Sequence, residues 1–557
     1  MEKAAATATH VERDYPSNVS EIEISPVPVD HQTNCTGTVT LLLGNETVLL
    51  PTPSPDPKDP LNLPAWRKWA IIILVSAFSC TSVVLASGLG PIFTAVVASY
   101  PGREVKANDL MTYPTLFMGI GNLISMPLTR VIGKRPLFLS SILILVVSAI
   151  WCAKSTSLDS HIAGRDIMSL AAGQSEALAP MMVQEIHFLH ERGRKLAWFI
   201  FIQNLTVGIL FFSSTYMVSA WGWHWWYGFF AIFNAIILVF ALFLASETSY
   251  DRPDDASTGE VHLRLNKKTD IEGAGPADTI IRATTKHGIV LEPEKWGERT
   301  WRHDLKLWSI QGSWRQIPLF YVDFIKGLCH PTLLWLLLLN GAYLGLYIFH
   351  ASTFATILMS PPYSFKFESL GYVQGAQIFA CLIFLPLLGY GSDIVIRWMS
   401  RRNGGTYKPE YRLLVLGVPA IIGVICTIIY GQAAAFPTKY HWSGMAVTYN
   451  AVYFAFLGAN IVGITYSVDS FPLKAGPVLV VICAGRGLIS FGLSYSVLPA
   501  IKAIGYNGAM NVEGGICAAL AALAIPVYFV GPYFRKLGQR YYGFGQSKSH
   551  IDESDHL

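Results

Sequence analysis

Charged side chains are scarce in this 557-residue chain: Asp, Glu, Lys and Arg make up 14 % of it, while 52 % is hydrophobic. Soluble domains carry about a quarter charged residues, so the shortage excludes an ordinary soluble protein and leaves an integral membrane protein. An excess of one charge is lacking too. The formal net charge is only +4, and Lys and Arg sit in short clusters beside apolar runs, which argues against a nucleic-acid surface and for a topology signal. Eight cysteines are scattered singly with no CxxC pair, so neither a disulfide framework nor a thiolate metal site is expected. The N-terminus has no basic stretch, apolar core and cleavage site in succession, so no signal peptide is expected. Its polar tail, ending PTPSPDPKDP, reads as disordered. No GxSxG elbow or Walker loop occurs, which argues against an enzyme or a primary pump. EIHFLHERG (185–193) gathers His187, His190 and Glu191, but in HxxHE order at a membrane edge rather than as HExxH on one helix face. A loop contact is expected there, and no metal or other cofactor.

Long apolar runs are what the chain does have. Taking about twenty residues per crossing, twelve segments are expected: 69–97, 110–130, 136–154, 161–187, 196–219 and 226–246 before a long polar stretch, and 331–353, 369–392, 412–432, 443–467, 477–499 and 513–533 after it. Counted by alternate connections, seventeen Lys and Arg fall on one side and six on the other, which puts both termini and the middle loop in the cytosol. The expected fold class is therefore an all-α membrane protein of twelve transmembrane helices in two six-helix bundles. Its parts are a cytosolic tail (1–65), a first bundle (66–248), a cytosolic linker (249–328), a second bundle (329–534) and a short cytosolic tail (535–557). Sequons at Asn18, Asn34 and Asn45 would then lie in the cytosol unused, and that at Asn204 inside the fifth segment. In the linker, the spacing of Trp301, Leu305, Trp308, Trp314 and Ile317 suits a helix lying on the inner membrane surface, with an irregular loop carrying interfacial tryptophans as the alternative.

The fourth segment, GRDIMSLAAGQSEALAP (164–180), organises the rest. A charge at membrane depth costs at least a few kcal/mol and marks a functional site by default. Arg165 and Glu176, eleven residues apart, share one helix face roughly 16 Å apart. Asp166 is an alternative structural partner for Arg165. Glu176 suits either a proton carrier and counter-charge for a cationic substrate, or a fixed ion pair with Arg486 of the eleventh segment; the sequence leaves both open. Tyr449, Tyr453, Phe456 and Asn460 fall on one face of the tenth segment, where a packing stripe is the commoner reading and a ligand wall the other. Asn340, Gln203 and Asn204 are polar at membrane depth and suit either a substrate or a neighbouring helix.

An internal repeat joins the halves. PLTRVIGKRP (127–136) and GYGSDIVIRWMSRRNGG (389–405) each place a charged residue at the cytosolic end of the second helix of their half and follow it with a basic turn, so the halves are expected to fold alike and meet at a central site. With DPKDPLNLPAWRKW before the first segment, HERGRK after the fourth, AWGWHWWYGF entering the sixth, ETSYDRP leaving it and YSVDSFPLKAG after the tenth, the chain resembles the major facilitator superfamily. More narrowly it resembles the fungal drug:proton antiporter family and its yeast Hol-type branch of histidinol, cation and polyamine transporters. The resemblance implies a proton-coupling role for Arg165 and gating roles for the cytosolic turns, here Arg130, Gly133, Lys134, Arg135, Asp393 and Arg397. Two departures stand out. Arg130 occupies the position where the loop signature has an acid, so Asp393 or Glu191 become its expected partners. The Gly-Pro antiport motif of the fifth segment is missing from NLTVGILFFSSTYMV (204–218), which leaves the direction of transport open.

The expected function is secondary transport of a small organic molecule by alternating access, as proton-coupled efflux of a drug-like or secondary metabolite by a monomer in the plasma membrane. Its partners would be that substrate, protons and the lipid bilayer. Uptake of polyamines or other organic cations is the alternative, and a non-transporting nutrient sensor of the same fold is the competitor from another class.

Overall fold

The computed structural model describes residues 56–250, 313–402, 408–471 and 474–542, with short pieces at 42–43, 46–47, 54, 297–300 and 304–306. Helix dominates because backbone groups placed in hydrocarbon must be bonded within their own segment. α1 (Ala65–Ser87) follows Pro64. α2 (Asp109–Ile132) ends at Gly133, whose φ of 88° turns the chain directly into α3 (Lys134–Ala153); a side chain there would be strained. α4 (Leu158–Ala172) starts at Ser157, which accepts a hydrogen bond from the Ser160 amide, and is followed after Gly173 by α5 (Gln174–Glu185).

α6 (Leu189–Leu244) is far longer than one crossing needs, and Gly222 at φ 79° breaks it into two rods. After the linker come α7 (Gln316–Leu328), α8 (Pro331–Met359) and α9 (Leu370–Arg402). A 3-10 run (Pro409–Leu416) leads into α10 (Gly417–Ala435), then α11 (Trp442–Ser470). α12 (Ala475–Ala522) is broken in the same way as α6, at Gly505 with φ 70°, and α13 (Ala524–Tyr542) closes the chain. Among the described residues, eight stretches are long and apolar enough to cross a membrane, and two of them are the double rods of α6 and α12.

One buried apolar cluster draws on residues 63–245 together with Phe320, Val480 and Ala484; the other two draw on residues 333–517 and 347–510. Outside these clusters, Ile73, Val147, Phe243, Phe379 and Phe529 are exposed, a pattern that suits lipid rather than water.

Two expectations change. The helix expected on Trp301–Ile317 begins only at Gln316, and Leu305 and Trp314 lie exposed outside it; Trp301 and Trp308 are outside the described residues. Pro318 is the physical reason, since it fits the first turn of a helix and would break one running on from Trp301. The polar tail also becomes ordered before residue 65. Asp59 accepts from the Leu61 amide at 2.9 Å and from the Ser54 amide at 3.1 Å, and Leu42–Leu43 pairs antiparallel with Glu46–Thr47. Asn18, Asn34 and Asn45 lie outside the described residues, while Asn204 is inside α6 and donates to the Ile200 carbonyl.

Candidate functional site

A cavity of about 170 Å³ lies between α1, α2, α4, α5 and α6 on one side and α8, α11 and α12 on the other. Seven of the nine membrane-depth candidates line it: Arg165, Glu176, Gln203, Asn204, Tyr453, Asn460 and Arg486. Apolar and aromatic groups, including Phe199, Phe211, Tyr347 and Phe456, make up most of the remaining wall.

Arg165 is fully buried, and backbone carbonyls satisfy it. Its guanidinium donates to the carbonyls of Leu110 (2.9 Å), Leu85 (3.2 Å) and Ala86 (2.8 Å) and to the Tyr227 hydroxyl (2.9 Å). Leu85 and Ala86 are in the last turn of α1, the negative end of that helix, which favours a cation there. Asp166 accepts none of these bonds, so the alternative ion pair with Arg165 is not formed. Tyr227 also lies 2.9 Å from His161 Nε2, and His161 Nδ1 lies 3.3 Å from the Tyr100 hydroxyl, with Trp223 stacked on the imidazole. This support was not read from the sequence, although His161 precedes Arg165 by one helical turn and Tyr227 lies in the conspicuous AWGWHWWYGF.

Glu176 forms a salt bridge with Arg486, the partner the sequence offered for it. Arg486 also donates to the Asn460 side-chain oxygen at 2.5 Å, and its Nε has no partner among the described residues. A second bond crosses the cavity where the Tyr453 hydroxyl donates to Asn204 Oδ1 at 2.7 Å. The α11 stripe therefore divides. Tyr453, Phe456 and Asn460 face the cavity, whereas Tyr449 is covered by Gln374, which donates to its hydroxyl at 3.0 Å, and by the stacked ring of Phe354. Asn340 is also outside the cavity: it donates to the Leu336 carbonyl, and Gly463 of α11 leaves the room that its amide fills. Tyr449 and Asn340 thus pack helices together.

The turn after α2 is held by acids from elsewhere. The amides of Lys134 and Arg135 donate to the Glu247 carboxylate at 3.0 and 3.2 Å, and the Lys134 ammonium pairs with Glu185. Arg135 donates to the carbonyls of Lys306 and Leu242. Arg130 sits over the Phe320 ring at 5.1 Å and faces Asp323, which pairs with Lys474 at 2.8 Å. The acid facing Arg130 thus comes from the linker helix α7, a source the sequence did not suggest, while Glu191 acts on Lys68. The Asp393 side chain is outside the described residues, and Arg397 is exposed on α9. His187, just past the end of α5, bonds the Val183 carbonyl at 2.9 Å, and no cluster of three or more His, Cys, Asp or Glu forms among the described residues.

Paired helical bundles around a central polar and aromatic cavity define the class, a polytopic membrane transporter. The Major Facilitator Superfamily profile matches residues 69–475, and the chain belongs to that superfamily. It is 23 % identical to an uncharacterized MFS-type transporter of Schizosaccharomyces pombe, covering 91 % of each chain. It is 21 % identical to Protein HOL1 of Saccharomyces cerevisiae over 89 % of this chain and 91 % of that one. It is also 21 % identical to the efflux pump radE of Floropilus chiversii, over 86 % and 83 %. Among solved structures, the partially occluded, inward-open xylose transporter XylE of E. coli matches with a TM-score of 0.52 at 13 % identity, covering 84 % of this chain and 98 % of that one, which is a likeness of fold.

Proposed function

We propose that this chain carries a small amphipathic organic molecule, of the drug-like or secondary-metabolite kind, by proton-coupled alternating access. The observation that carries this reading is that the cavity is closed by side chains from both halves. Glu176 pairs with Arg486, and Asn204 with Tyr453, so rocking one half against the other breaks or remakes the walls of the site. Residues 66–248 and 329–534 serve as the two moving bundles; the reading takes α1–α3, α4 with α5 as one, and the two rods of α6 as six crossings, and α8–α11 with the two rods of α12 as the other six. The charge bias supports cytosolic termini, and the reading takes the plasma membrane as the location and a monomer as the working unit. The name of the Floropilus relative supports outward transport.

Reconstituted full-length protein in proteoliposomes, with and without a pH gradient, tests the reading. Flux of at least one labelled amphipath that depends on the gradient is the expected result. Binding without flux across neutral, acidic and basic amphipaths would instead identify a sensor.

A further inference from the structure

We infer that the cavity takes an organic acid, bound as its anion on Arg486, with Glu176 accepting one proton as the anion arrives. This deepens the transport reading above and rests on it. The charged side chains lining the cavity are two cations, Arg165 and Arg486, and one acid, Glu176. Arg165 is already satisfied by carbonyls and Tyr227. The exchangeable charge is therefore the Glu176–Arg486 pair, whose side chains are 17 % and 4 % exposed.

The two partners differ in what happens when the pair is broken. A carboxylate that loses its partner can take up a proton and become neutral, whereas a guanidinium cannot lose one. An entering cation that captured Glu176 would strand Arg486 as a buried, uncompensated charge, which is strongly unfavourable. An entering anion meets no such penalty. It takes the guanidinium edge now shared by Glu176 and the unpartnered Nε, a geometry suited to two parallel hydrogen bonds. Glu176 is released and accepts a proton from water on the side to which the cavity is open. One O–H bond forms on Glu176 as one breaks in the hydronium or buffer acid that gives up the proton, and the summed charge of the site is the same before and after. One anion and one proton then move together, so outward transport through this site runs down the acid's own gradient and an inward proton gradient opposes it. A polyamine carries several ammonium groups, whereas this wall holds one carboxylate, already paired.

Few other groups could produce the same pH dependence. From α12, Glu176 faces the Arg486 guanidinium and the Cys483 thiol. From α8 and α11, Tyr347 and Tyr453 line the same cavity, and from α4 so does Arg165. None of these takes up a proton near neutral pH in exchange for an anion.

The test uses purified full-length protein and four probes of similar shape: phenylbutanesulfonate, phenylbutyrate, its methyl ester and phenylbutylamine. The sulfonate stays ionised at all working pH values, so its own titration cannot contribute. Its apparent Kd is expected to rise about tenfold per pH unit wherever free Glu176 is ionised, as one linked proton requires. Calorimetry in buffers of different ionisation enthalpy should give one proton taken up per anion. Glu176→Gln should flatten the pH dependence and tighten sulfonate binding, and Arg486→Gln should weaken it at least tenfold while sparing the ester. If either variant fails to fold, the wild-type pH slope and proton count decide alone. Binding of the amine in preference to both anions, or pH-independent sulfonate binding, would overturn the proposal. Acid binding with the proton linkage but no flux would sink the transport reading and leave the acid site standing; flux of ester or amine without acid binding would do the reverse.

Discussion

The Tyr453 hydroxyl and the Asn204 side chain, 249 positions apart, form a 2.7 Å hydrogen bond that joins α11 to α6 across the cavity. Each residue also belongs firmly to its own half, since Tyr453 packs at a tilt on Tyr347 and Asn204 donates to the Ile200 carbonyl. A buried neutral bond of this kind contributes about 1 kcal/mol. In a double-mutant cycle of Tyr453→Phe and Asn204→Ala, read as detergent-solubilised thermal stability, the coupling is expected to be about 1 kcal/mol. Additive single effects would show that the bond does not hold the halves together.

Arg165→Lys keeps the charge but not the fork. A lysine ammonium cannot reach Leu85, Ala86, Leu110 and Tyr227 together, and buried carbonyls left without donors cost about 1–3 kcal/mol each. Folded yield should drop well below wild type, and surviving protein should transport at least about tenfold more slowly, the equivalent of 1.4 kcal/mol. Wild-type flux from the lysine variant would show that Arg165 needs only its charge.

Two glycine contacts should behave differently under substitution. A Cβ at Gly121 would collide with the Leu170 backbone within the first half, and one at Gly487 would meet the Thr115 carbonyl of the other half at 2.6 Å. Overpacking against rigid backbone typically costs about 1–3 kcal/mol, occasionally more. Gly121→Ala is therefore expected to lower folded yield by fluorescence-detected gel filtration. Gly487→Ala should leave yield nearer wild type, because the halves can separate slightly, while changing the rate of flux. Equal yields for both variants would contradict this distinction.

At the linker, Asp304 receives Arg67 at 2.5 Å and Arg299 at 2.8 Å. Burial raises its carboxyl, but hydrogen bonds and charge from Arg299 and Arg67 outweigh that and hold it below the ordinary carboxylate value. A lowered folded value means that the carboxylate stabilises the fold above the unfolded pKa of about 4. That contribution is lost as pH falls through the folded value. The stability difference between wild type and Asp304→Asn should be constant from neutral pH down to about 5 and shrink below about 4. A difference that grows on acidification would reverse the sign and remove the ion pairs as its source.

Much of the cavity wall was legible because charge and amide groups inside apolar runs are rare enough to stand out. Arg165, Glu176, Gln203, Asn204 and Arg486 all reach it. Tyr449 and Asn340 carried the same signal and pack elsewhere, because helical periodicity tells which residues share a face but not what covers each end of that face. The linker acid Asp323 escaped notice because an acid in a polar loop looks like any other until the fold brings it to Lys474.

By itself the sequence determined that this is a helical membrane protein with two similar halves and charges at membrane depth. Those are local properties, since an apolar run of about twenty residues must form a helix in hydrocarbon wherever it lies in the chain. Only the tertiary structure decided partners. It gave Arg165 to the end of α1 rather than to Asp166, Glu176 to Arg486, and Arg130 a facing acid from the linker. The physical reason is that each buried charge must be compensated by groups distant in the chain, and their approach depends on how whole helices pack rather than on any spacing along one of them.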